Sequence, residues 1–248
     1  MRKLSIIAYI VAGSGLVSLP VHAQSDLLNL GKNVLGGVTG GSTGGASNSG
    51  SGLSSDQIVR GLKEALQVGT NRTVERLGKT DGYLKDAAAH IPLPGVLAKA
   101  GPALKLAGEY GLVDDLETRI NRAAEVAAPK ARAIVTGAIN KMSIQDAKGI
   151  LQGPQDAATQ YFKRETTNDL TAAIKPIVQK SLSDVGAVKV YQSVAGRLGG
   201  LTDGFDLDNY VTGKTLDGVF HYLAAEEADI RRDPAKRTTE ILKTVFTR

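Results

Sequence analysis

From Ser54 onward, apolar residues recur at steps of three and four, the spacing that gathers side chains on one face of an α-helix. Ser54 with Gln57 forms a capping box ahead of Ile58, Leu62, Ala65 and Leu66. A second box opens at Ser143 with Asp146, leads to Ala147, Ile150 and Leu151, and stops at Gly153. The longest stripe joins Val113, Leu116, Ile120, Ala123, Ala124, Ala127, Ala131, Ile134 and Ala138 across Pro129. Pro129 and Pro176 interrupt periodic runs and read as helix breaks or kinks, whereas Pro154 and Pro234 suit the first turn of a following helix. No alternating run of β-branched and aromatic residues is bounded by hairpin turns, and the alanines and glycines on the apolar faces imply closely packed helices. The pattern therefore predicts an all-α fold, a single domain over residues 54–248 with about eight to ten helices.

The first residues read differently. Met1-Arg2-Lys3 supplies a positive start, Leu4 to Val17 an uncharged apolar run, and Val21-His22-Ala23 small residues before Gln24, the layout of a cleaved secretory signal over residues 1–23. A retained membrane anchor is the competing reading, since Leu4 to Val21 is about long enough to span a bilayer; Gly13, Gly15 and Pro20 ahead of the small-residue motif favour removal. Residues 24–53 then hold a short apolar piece, Leu27 to Leu35, and a linker in which residues 36–52 contain eight Gly and four Ser. Such a composition buries too little apolar area to offset its backbone entropy. The expected location is periplasmic or secreted, with no transmembrane segment after cleavage.

Composition narrows the chemistry. At 248 residues with 42% hydrophobic and 22% charged positions, the chain is long enough for one sizeable core. It has no cysteine, so disulfides, thiolate metal sites and thiol nucleophiles are excluded. The formal charge of +5 falls to +3 without Arg2 and Lys3, and residues 229–248 alone carry six basic against three acidic side chains. With charges balanced elsewhere and few aromatics, no basic and stacking surface for nucleic acid is present. An anionic lipid headgroup remains a conceivable partner for Arg231, Arg232, Lys236, Arg237 and Lys243, beside the plainer reading of a solvated helix end.

Several strings together resemble a bacterial family, the domain-of-unknown-function family 4197. These are Gly61-Leu62-Lys63-Glu64-Ala65-Leu66, Ile91-Pro92-Leu93-Pro94, Asn121-Arg122-Ala123-Ala124-Glu125, Asp156-Ala157-Ala158-Thr159 with Tyr161-Phe162, and Tyr210-Val211-Thr212 with Asp217-Gly218 and Phe220. Ile230-Arg231 before Pro234, and Arg237-Thr238-Thr239 through Phe246, extend the likeness to nearly all of the chain after the linker. The resemblance implies an exported helical protein with no established activity.

Candidate polar residues follow from the helical faces. On the last long helix, Leu216, Val219, Leu223 and Ile230 define an apolar face with Glu226 placed at its centre and Glu227 at its edge. A buried Glu226 would need a partner, and Arg122, Arg164 and Arg237 are the candidates. Asn121, Arg122 and Glu125 lie off the stripe through Leu116 and Ile120, which reads either as a solvated face or as a second buried face that would need partners such as Glu226 or Arg231. The candidate polar cluster is thus Asn121, Arg122, Glu125, Glu226 and Arg231, either architectural or a binding site. Di-iron, zincin, phosphate-loop and nucleophile-elbow motifs are absent, and no cofactor is implied. Two function classes remain: a non-enzymatic binding or scaffold module for an unknown protein or lipid partner in the cell envelope, or for an apolar ligand; and a hydrolase or lyase using Glu125, Glu226 and Arg122.

Overall fold

Both capping boxes form. Ser54 opens helix α1 (Ser55–Gly78) and Ser143 opens α5 (Ile144–Gln152), each serine oxygen accepting the backbone N–H three residues on while the residue there returns its side chain to the serine N–H. In the computed structural model, residues 54–106, 111–199, 202 and 204–232 are described. The signal, the linker with Leu27 to Leu35, Pro234 and the basic residues Lys236, Arg237 and Lys243 lie outside them. The remaining helices are α2 (Gly95–Leu106), α3 (Leu112–Ala127), α4 (Ala131–Lys141), α6 (Ala157–Asp184), α7 (Ala187–Arg197) and α8 (Leu207–Arg232), with a 3-10 turn at Ala128–Lys130. Among the described residues there is no strand, and the helix count sits at the low end of the expected range.

The long helix α8 packs on both α6 and α1, and α3 and α4 close the core against α6 and α1. The predicted stripe is that closing surface: Leu116, Ile120, Ala123, Ala124, Ala127 and Ala131 are all fully buried. Pro129 breaks the run as expected, lying in the 3-10 turn Ala128–Lys130 that separates α3 from α4. Its ring lies where a side chain on Gly78 would stand, 2.7 Å from that Cβ position, so the end of α1 can pass close by. Pro176 does not end its helix. It sits on the exposed face of α6, where the carbonyl of Ala172 that loses its partner is also exposed. Pro154 precedes α6 by one turn, its carbonyl accepting the N–H of Ala157.

Between α1 and α2 the chain crosses as a loop, residues 79–94, whose Tyr83 is completely buried. The Tyr83 ring rests on Gly218 of α8, where a Cβ would stand 2.8 Å away, and its hydroxyl donates to the Thr215 carbonyl at 2.7 Å. Burial raises the phenol's pKa. No described helix is long and apolar enough to cross a membrane.

Candidate functional site

Helix α3 is covered on two sides. Leu116 and Ile120 face the core, while Glu117, Asn121 and Glu125, spaced four apart, form a second row that holds the 79–94 loop. Glu125 Oε1 accepts the N–H groups of Tyr83 and Leu84, each at 3.1 Å. Asn121 Oδ1 accepts the Ile91 N–H at 2.8 Å, and its Nδ2 donates to the carbonyls of Ile91 at 2.9 Å and Glu117 at 2.8 Å. His90 bridges the Leu84 carbonyl and the Glu117 carboxylate. With Asn121 fully buried and Glu125 only 5% exposed, the second-buried-face reading holds and the solvated one does not.

Arg122 stands beside this row. It donates to Glu125 Oε2 at 2.8 Å and to Asp81 Oδ1 at 2.7 Å, and the Glu125 hydrogen bond raises its pKa. Asp81 occupies the left-handed region at φ 67°, a conformation tolerated by short polar side chains and fixed here by Arg122 and Lys85. The expected partners Glu226 and Arg231 take no part in these hydrogen bonds; the loop supplies the partners instead, because its backbone N–H groups have no helical acceptors.

A second buried cluster lies at the far end of α8, and its acid is Glu227 rather than Glu226. Glu227 is 4% exposed. Its Oε1 accepts the Ala158 N–H at 2.9 Å and the Arg231 guanidinium at 2.9 Å, and its Oε2 accepts both the N–H and the hydroxyl of Thr159, at 2.9 and 3.0 Å. Asp156 precedes α6 but gives it no side-chain cap, so Glu227 supplies that cap from another helix. Arg231 also donates to the Ile150 carbonyl near the end of α5, at 2.7 Å. One ion pair therefore places its anion on the N-terminus of α6 and its cation on the C-terminal turn of α5, the favourable sense for both helix dipoles.

Glu226 is half-buried. Its Cβ lies 3.2 Å from where a Gly69 Cβ would stand, so the absent side chain on α1 leaves room for the stem while the carboxylate runs out to Arg72 at 3.4 Å. The expected arginine partners are not used: Arg122 holds Asp81 and Glu125, Arg164 holds its neighbour Glu165, and Arg237 lies outside the described residues.

Asp86 forms a third knot. It accepts the Tyr222 hydroxyl, the N–H groups of Ala88 and Ala89, and the Arg76 guanidinium, which stacks 4.2 Å over the Tyr222 ring. Burial alone would raise the Asp86 pKa; the Tyr222 hydroxyl, the two amides and Arg76 outweigh it and bring it down to about 2. Sequence periodicity gave no sign of this loop carboxylate.

Chemically, each oxygen of both buried glutamates already accepts a hydrogen bond from the fold's own donors. The two cavities that touch Glu227 hold about 10 Å³ each, room for one water. Among the described residues no three His, Asp or Glu side chains are grouped to hold a metal ion. A family model described as a protein of unknown function (DUF4197) matches residues 52–247. No curated protein and no solved structure matches the chain.

Proposed function

The chain belongs to the DUF4197 family of proteins of unknown function, and on that premise we propose that it is an exported, periplasmic binding or scaffold module that acts without catalysis on a partner in the cell envelope. The engagement of every carboxylate oxygen of Glu125 and Glu227 by the fold's own donors carries this reading. A general acid or base needs a free oxygen within reach of substrate; these carboxylates spend every oxygen on ordering the loop and the helix ends. The signal-like first 23 residues support export. An internal apolar ligand gains no support, since the apolar cavities flanking Glu227 admit one water, so recognition is assigned to the surface.

Native mass spectrometry of the protein recovered from its own cells tests this. The expected result is a mature chain starting at Gln24, found in the periplasm and carrying a non-covalent partner. A chain starting at Met1 in the cytosol overturns export. A substrate turned over by wild type but not by Glu125→Gln of unchanged melting temperature overturns the non-catalytic reading.

A further inference from the structure

Helix α8 runs antiparallel along α1. Arg76 stacks on Tyr222, Arg72 meets Glu226, and Ala65 packs with Ile230, so α8 advances toward its end as α1 recedes toward its start. Followed past Ile230, that course leads to the first two turns of α1. A groove of about 260 Å³ opens there, walled by Ile58 and Val59 of α1 and Leu151 of α5, with the exposed Ser55, Lys148 and Gln152 around them. Ile58 and Leu151 stay half-buried, although Leu62, one turn on from Ile58, and Ile150, beside Leu151, are buried. The last turn of α8 is tied down next to this groove: Arg231 donates to the Ile150 carbonyl and Arg232 to Gln155 Oε1, each at 2.7 Å. The chain therefore leaves α8 beside the end of α5.

Residues 233–248 follow, outside the described residues, and their sequence carries what the groove lacks. Pro234 suits a new first turn, and Ile241, Leu242, Val245 and Phe246 share one face at helical spacing while Lys236, Arg237, Glu240 and Lys243 fall off it. Four large apolar side chains on one face need a surface to cover them. The DUF4197 match runs through residue 247, so this segment belongs to the same unit as the helices it follows. Its reach also fits. From Ala65 back to Ile58 is about 10 Å at the helical rise, and residues 233–240 span about 12 Å as a helix and up to about 26 Å extended. We propose that residues 241–246 lie in the groove between α1 and α5 as a strap, apolar face inward, continuing the antiparallel course of α8. A partner that reaches this groove must displace the strap. The contact is internal to the chain and holds wherever the protein works, so it stands apart from the reading of export.

The chain has no cysteine and no tryptophan, so either can be introduced as a unique reporter. In the full chain, Leu151→Cys is paired in turn with Leu242→Cys, Val245→Cys or Phe246→Cys, and then with Glu240→Cys or Thr244→Cys from the opposite side of the segment. Disulfides within one chain should form about tenfold faster with the first three than with the last two, because docking raises the local concentration of the inward face alone. Phe246→Trp in the otherwise native chain should show the blue-shifted emission of a buried indole, unchanged by dilution or by vesicles of phosphatidylglycerol and phosphatidylethanolamine. Adding Ile58→Glu should move that emission to the red while the domain still melts cooperatively; if that variant does not fold, the disulfide rates decide alone. Equal rates from both sides of the segment overturn the strap. Disulfides formed only between chains overturn it in favour of a second copy. A tryptophan exposed in buffer that shifts to the blue only on vesicles overturns it in favour of an anionic lipid surface, and a cooperatively melting Ile58→Glu variant of unchanged emission places the segment elsewhere.

Discussion

Replacing Glu227 by Gln should be among the most damaging conservative changes available to this chain. The carboxylate receives five donors: at Oε1 the Ala158 N–H and two guanidinium nitrogens of Arg231, at Oε2 the N–H and hydroxyl of Thr159. An amide has one acceptor oxygen, so its NH₂ must face N–H groups at one end. In the better orientation it donates to the Thr159 hydroxyl, yet the Thr159 N–H is still left without an acceptor and Arg231 loses the buried carboxylate it holds in the wild type. Removing one member of a buried pair costs about 3–5 kcal/mol. Arg231 keeps 13% exposure, which favours the lower end of that range. At about 2–4 °C per kcal/mol for a domain of this size, the melting temperature should fall by about 10 °C. Glu226→Gln is the internal control: its pair with Arg72 is 22% and 40% exposed, where an ion pair contributes about 0–1 kcal/mol. Thermal and urea unfolding followed by circular dichroism measure both variants. A double-mutant cycle should show strong coupling of Glu227 with Arg231 and almost none of Glu226 with Arg72. Equal losses in the two glutamine variants, or a Glu227→Gln protein as stable as wild type, would refute the assignment of the buried clip to Glu227.

Asn121→Ala should destabilise by about 3 kcal/mol, because it strands the buried N–H and C=O of Ile91 together; hydrogen exchange at the Ile91 amide should accelerate, and unchanged protection there would contradict it. Asp86, with its folded pKa lowered to about 2, contributes stability that is complete above about pH 4 and is lost as pH falls toward 2, an effect of about 2 kcal/mol. Asp86→Asn should therefore cost about that much at neutral pH and flatten the acid limb of a stability–pH curve, and an acid limb as steep as wild type would count against it. The raised Tyr222 pKa acts at the other extreme: its stabilising share is present below the ordinary phenol value and is lost as pH rises beyond it, so Tyr222→Phe should reduce the alkaline sensitivity of melting.

The helices, their two capping boxes and the apolar stripe over α3 and α4 were legible because each depends on residues a few positions apart. The buried acid of α8 was almost legible. Leu216, Phe220, Leu223, Glu227 and Ile230 step by four and three along one row, and a face drawn without Phe220 drifts toward Glu226. Arg231, four residues after Glu227, was a further local sign. Even a correct wheel would not have separated the two acids by burial, since Gly69 on α1 lets the Glu226 stem enter the interface while its head leaves it. The row Glu117, Asn121, Glu125 was visible as a polar face, but its burial depends on where the 79–94 loop crosses α3. No periodicity encodes that crossing. What the loop lacks is helical acceptors for its own N–H groups, and a buried segment must find acceptors somewhere. Tyr83, Leu84 and Ile91 find them on one face of α3, and Ala158 and Thr159 at the start of α6 find theirs on Glu227. Of the polar side chains that looked most like a reactive site, Asn121, Glu125 and Arg231 satisfy backbone groups of the loop and of a helix end.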